Sequence, residues 1–279
     1  MIPVAMLRFA IVFVCLILPA CRNSGARMDP ALTRLIPPDA VALAGARLDQ
    51  LRTTPLYRKL AAQHRLPQFD QFSAETGIDP QRDVSELLFA HDGKHGLLMA
   101  RGAFRGGRNR PDGSLVFLDQ RIALAGPAAM VRTAIDQYRT GHASPPPALL
   151  ARVPGDGQIW AASIGWPGLP PATLSEMGNA ANLDRVLRAV ADLSFMADFT
   201  SGVHAAATAN CRTDQEASAL AENLRALASL AHAGAPKNEP DLQRAFDAIQ
   251  VRQDARAIKV TLDLPEDLAE RLADYGVKH

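Results

Sequence analysis

The chain has 279 residues, 48% of them hydrophobic and 21% charged, which is ample for a packed core in one or two domains. Its formal net charge of +1, from 30 basic and 29 acidic side chains, excludes a global electrostatic attraction to nucleic acid or another acidic polymer. Aromatic residues make up only 5%, which argues against a stacking platform for bases or sugars.

Residues 1–20 read as a secretory signal: Arg8 is their only charge, residues 9–18 are apolar, and Ala20 is small. A ten-residue helix is about 15 Å long, half of a roughly 30 Å hydrocarbon core, so this run is too short for a transmembrane anchor. The tetrapeptide Leu18-Pro19-Ala20-Cys21 resembles the lipobox of bacterial lipoprotein precursors. That resemblance implies cleavage before Cys21 and a diacylglycerol on its sulfur; an ordinary signal cut after Ala20 is the rival. Arg22 stands where an aspartate commonly favours retention in the inner membrane, so the resemblance implies the outer membrane, facing the periplasm. Cys15 then leaves with the signal and Cys21 carries lipid. Only Cys211 remains, without a disulfide partner or a cysteine-built metal site.

Residues 21–37 follow as a tether. Residues 41–48 (VALAGARL) then predict a strand, and Thr54-Pro55 a cap and first turn of helix. Residues 86–90 and 96–104 flank Asp92-Gly93, a two-residue hairpin signal. A second hairpin, SLVFLDQRIALAG, precedes Pro127 and a helix that buries Val131, Ile135 and Tyr138.

After a linker at residues 141–157, with Pro145-Pro146-Pro147, the plan repeats. Residues 159–165 predict a strand, and residues 174–192 a helix with Leu183, Val186, Leu187 and Val190 on one face. Strands at residues 193–199 and 203–211 turn through Thr200-Ser201-Gly202. Thr213 and Glu216 form a capping box for an inserted helix that Gly234 ends; another helix covers residues 240–249. A last hairpin precedes Pro265 and a closing helix with Leu268 and Leu272. The order predicts an α+β protein of antiparallel sheets with helices packed on one face. It divides into two similar subdomains, residues 38–140 and 158–279, from an apparent internal duplication.

Chemistry-bearing motifs are scarce. His91 and His95 have metal-pair spacing only on a helix; on a hairpin with Asp92-Gly93 at its tip, His91 pairs with Lys94 and His95 faces the other way. Asp79 and Asp83 belong to a turn rather than an acid/base pair. Ser163 lacks the glycine of a nucleophile elbow. Cys211 closes an apolar run and reads as a buried hydrophobe. Of Trp160 and Trp166, one reads as core and the other as a groove wall. No cofactor, metal or catalytic residue is assigned. Arg101, Arg105, Arg108 and Arg110 form an acid-free run that could contact an anionic lipid surface.

Blocks at residues 36–41 (IPPDAV), 51–57 (LRTTPLY), 77–80 (GIDP), 92–94 (DGK) and 123–127 (ALAGP) resemble a group of uncharacterised secreted or lipid-anchored proteins of acidobacterial type. This group carries no assigned activity, so no functional residue transfers. Three functional readings remain. The first is a non-enzymatic interaction or scaffolding domain anchored through Cys21, with an unknown envelope protein as partner and an exposed apolar patch as its mark. The second is a periplasmic binding protein for a small apolar or amphipathic ligand, marked by an apolar cavity above about 300 Å³. The third is an unrecognised hydrolase, marked by a hydrogen-bonded nucleophile and base.

Overall fold

The computed structural model of the chain describes residues 28–63, 67–141, 145–166, 168, 184, 186–236 and 238–278. The signal, the lipobox with Cys21, and most of the helix expected over residues 174–192 lie outside them.

Ten strands form one antiparallel sheet: β1 (Ala42–Arg47), β2 (Val84–His91), β3 (Gly96–Gly102), β4 (Leu115–Phe117), β5 (Ile122–Ala125), β6 (Ile159–Ile164), β7 (Val190–Asp198), β8 (Gly202–Cys211), β9 (Ile249–Asp254) and β10 (Ala257–Pro265). Their spatial order is β4-β5-β3-β2-β1-β6-β7-β8-β10-β9. Read outward from the centre, β1-β2-β3-β5-β4 on one side repeats as β6-β7-β8-β10-β9 on the other. The halves meet where β1 pairs with β6, Ala44 opposite Ala161, so one sheet runs through both.

The seam is tightly packed. Trp160 of β6, 2% exposed, lays its indole over Gly45 of β1, where an added Cβ would come within 2.2 Å of the ring. Glycine is required there by the close approach rather than by backbone conformation.

The helices among the described residues are α1 (Pro30–Thr33), α2 (Leu48–Leu51), α3 (Pro55–Gln63), α4 (Pro67–Thr76), α5 (Pro80–Asp83), α6 (Ala128–Thr140), α7 (Pro147–Leu150), α8 (Asp214–Gly234), α9 (Pro240–Asp247) and α10 (Glu266–Lys278). Asp29 caps α1, Asp79 caps α5, and the Thr213–Glu216 box caps α8 as its spacing predicts.

Strand alternation sorts these helices onto two faces. Leu88, Met99 and Leu124 are successive cross-strand partners and pack with Leu32, Val131 and Leu149, so α1, α6 and α7 cover that face. Leu87, Ala100 and Ala123 are partners on the opposite face and pack with Phe72 of α4. Leu193, Ala209 and Ile258 continue this second face under α8, and Leu262 and Leu264 carry it under α10. The expectation of helices on one face is therefore corrected: they occupy both, and the closing helices α6 and α10 lie on opposite faces although the strand order repeats. Alternation fixes which residues share a face, not which face a following helix will cover.

Four further boundaries differ. Leu32, Leu35 and Ile36 are fully buried, so the expected tether at residues 21–37 gives way to the folded body by Pro30. The expected linker carries α7, with Leu149 and Val153 buried in the first core. Val190 and Ile249 open strands β7 and β9 instead of ending helices, because β-branched residues at those joints pair more readily than they continue a helix.

Both edge strands carry hydrogen bonds from outside the sheet, which blunts them as pairing sites. On β4, Phe117 N donates to Asn109 Oδ1 at 2.8 Å and Arg110 N to Leu115 O at 2.9 Å, which lays the arginine-rich loop along the strand. On β9, the Arg225 guanidinium reaches across from α8 to donate to the Val251 carbonyl at 3.3 Å.

Candidate functional site

Between the sheet and the α3–α4 pair lies a cavity of about 760 Å³. Its floor comes from Val84 and Leu87 of β2, Leu98 and Ala100 of β3, and Ala123 and Ala125 of β5. Tyr57, Leu60 and Ala61 of α3 and Phe69 and Phe72 of α4 form the roof; Phe104 and Phe117, edge to face at 5.5 Å, close one end. Among its described lining residues, only Tyr57 and Gln81 bring polar side chains, and none is charged. The space exists because alanines stand opposite the helices: Ala100 and Ala123 are direct cross-strand partners, and neither fills the gap beneath α4.

Leu98 lines the cavity and is also 37% exposed, so the cavity opens to solvent beside it. Its cross-strand partner Phe89, 39% exposed, lays its ring over Gly96 and stacks with His91 at 6.2 Å. Phe89 and Leu98 thus form an apolar lip at the hairpin end of the sheet.

The hairpin differs from its expected form. His91 pairs with Gly96, not Lys94, and residues 92–95 make a four-residue turn. The Asp92 carboxylate causes this: its Oδ1 accepts from the amides of both Lys94 and His95 at 2.7 Å. His91 faces the cavity side with Phe89, while His95 stays in the turn, its Nδ1 3.6 Å from Asp92 Oδ2.

The arginine run does not form one patch. Arg101 pairs with Asp29 at 3.1 Å and Glu86 at 3.5 Å; its Nε–H is aimed at neither oxygen, so these are ion pairs rather than hydrogen bonds. Arg108 donates to Ala74 O at 2.9 Å and Arg110 to Glu75 Oε2 at 2.7 Å, tying the loop to the end of α4. Arg105 is exposed in the loop. Asp79 and Asp83 build the turn into β2: Asp83 Oδ2 accepts from Asp79 N, and Arg82 pairs with Asp83. Cys211 is buried, which pushes its thiol up, and Ser163 Oγ donates to Gly165 O. Trp166 Nε1 donates to Asp184 Oδ1 at 2.8 Å. Cys21 lies outside the described residues.

On the opposite face, one end of the sheet carries a polar row. Arg101, Glu86 and Arg47 are successive cross-strand partners. Arg47 N donates to Gln158 O, and Gln158 Nε2 donates to Asp198 Oδ2 at 3.1 Å. Asp198 stands opposite His204, and His204 opposite Asp263. At about 4.8 Å per strand the row spans roughly 30 Å. Asp29, which leads into the folded body, docks on it through its amide at Glu86 Oε1, 3.4 Å.

Glu86 is buried in this row, and burial raises its carboxyl above the ordinary range; the Asp29 amide and Arg101 pull it back only in part. An acid whose folded-state pKa is raised loses stability as pH climbs from the ordinary glutamate range through that higher value. Glu86→Gln should therefore flatten a decline of melting temperature on the alkaline side of pH 4.5. Melting curves of both proteins across pH 4 to 8 would read it, and parallel curves would contradict it.

No family model matches the chain, and no curated protein sequence matches it. Among solved structures it is similar to crystal form I of TP0453, at 9% identity, with 91% of this chain and 98% of that chain covered and a TM-score of 0.41. The α+β class rests on the chain's own helices and antiparallel sheet. No described helix is long and apolar enough to cross a membrane.

Proposed function

We propose that this chain is an envelope protein, anchored through lipid on Cys21 at the outer membrane, that holds the acyl chain of an amphipathic ligand between its sheet and α3–α4. One observation carries the reading: the 760 Å³ cavity has an almost wholly apolar lining and opens beside an apolar lip. Ligand pockets commonly measure about 300–1,000 Å³, and an apolar lining of this extent offers dispersion contacts to an apolar chain. Leu98 and Ala100 of β3 and Phe104 just beyond its end all line the cavity, so it extends along that strand. Ten buried methylenes at about 0.8 kcal/mol each contribute roughly 8 kcal/mol before ordering costs, which corresponds to micromolar binding or weaker. The scaffolding alternative has less behind it, because Phe89 and Leu98 are the one pair of neighbours among the exposed large apolar residues described.

The full chain should bind a fluorescent long-chain fatty acid saturably at one site, with oleate and lysophosphatidylcholine competing. Fluorescence that rises linearly without saturation would overturn the ligand reading. The anchor is tested separately: Cys21→Ser should be exported yet leave the membrane pellet, and a variant that stays in the pellet would refute lipidation.

A further inference from the structure

A hydrogen-bonded chain of three side chains ends the polar row, on the face away from the cavity. Residues 199–201 join β7 to β8, and Gly202 follows with φ +115° and its Cα hydrogen against Leu264 O, where a Cβ would come within 2.2 Å. The turn is thereby pressed onto β10. His204, two residues on, stands opposite Asp263. Its Nδ1 lies 3.0 Å from Asp263 Oδ1, and its Nε2 lies 3.3 Å from Ser201 Oγ.

The carboxylate accepts the Nδ1 proton and so selects the tautomer whose Nε2 lone pair faces the hydroxyl. A nucleophile touches a base, and the base is oriented by a third group. The Ser201–His204 distance is slightly longer than the roughly 2.6–3.2 Å of a reacting pair, as is usual before a substrate is bound.

We propose that Ser201 is a nucleophile for acyl transfer, with His204 as its general base and Asp263 holding the imidazole, and that the site takes carboxylic esters presented at this open face. Ser201 Oγ bonds to the ester carbonyl carbon while its proton passes to Nε2. The bond from that carbon to the alkoxy oxygen breaks, and the alcohol leaves with the proton. Water then attacks the acyl-serine, giving a proton to Nε2; Oγ departs and takes it back, and the carboxylic acid is released. Ester and water become alcohol and acid, with no other reactant. The His204 and Asp263 side chains are 44% and 65% exposed, so no pocket selects the acyl group and water weakens each charge interaction. Turnover is accordingly slow and favours esters with a good leaving group.

The described groups that face His204 are Asp263 from β10, Asp198 from β7 and the Ser201 backbone of its own turn. Asp263 does most to raise its pKa above the usual histidine value. The reactive form has a neutral ring, so the reaction rate rises with pH through that elevated midpoint. The full chain should react with a fluorophosphonate probe, adding one label by intact mass that maps to Ser201. Ser201→Ala and His204→Gln should lower the labelling rate at least tenfold. Asp263→Asn should move the pH midpoint down toward ordinary histidine. Circular dichroism identical to the unsubstituted protein is expected for these exposed positions. Labelling of wild type and Ser201→Ala at equal rates, or of another serine, would overturn the proposal and leave the cavity reading untouched.

Discussion

Replacing Trp160 by alanine is expected to lower folding stability by about 3–5 kcal/mol, the usual cost of truncating a large buried aromatic. Trp160 belongs to the first core with Leu43, Leu88 and Leu149, so the loss falls where β1 and β6 join the two halves. Gly45→Ala should cost about 1–3 kcal/mol alone, because its Cβ meets the indole at 2.2 Å and a ring held by the core cannot withdraw. Combined with Trp160→Ala, most of the Gly45→Ala cost should vanish, a coupling of roughly 0.5–3 kcal/mol. Urea unfolding of the four proteins completes the cycle. Simple additivity would show that the contact between Gly45 and Trp160 does not limit packing at the seam.

The second large effect is opposite in sign. Ala100→Leu or Ala123→Leu should fill part of the cavity, raise stability by about 0.5–2 kcal/mol, and weaken fatty-acid binding at least tenfold. These two alanines are suitable because they lie side by side on the floor, with only methyl groups below α4. Ile122→Leu, on the other face, is the control that should leave binding unchanged. Thermal melting and probe titration distinguish the outcomes. A destabilised variant with unaltered binding would mean that the space is not the ligand site.

Strand runs and turns were legible because their signals are local. Alternation in residues 84–91 and the capping box at Thr213 each depend on neighbours within a few positions. The turn at Asp92-Gly93 is two residues longer than its residue types predict, because an aspartate side chain can supply acceptors that lengthen a turn, and composition does not say when it will. The cavity was not legible, since Leu87, Ala100 and Ala123 have the same alternation whether the helix above touches them or not. The available signal was the pairing of small residues on adjacent strands beneath aromatic-bearing helices. His204 and Asp263 are 59 positions apart and meet through the register of β8 with β10, which no spacing rule supplies. Ser201 was visible only as a turn residue.

The central position of β1 has a consequence for synthesis. Its partner β6 is made more than a hundred residues later, so a nascent first half can complete β1 through β5 and still display β1 as a bare hydrogen-bonding edge. Such an edge recruits other chains until its own partner arrives. Truncating after Thr140 should therefore yield clumped material that a holdase chaperone keeps dispersed, because β1 becomes an interior strand only once β6 has paired with it.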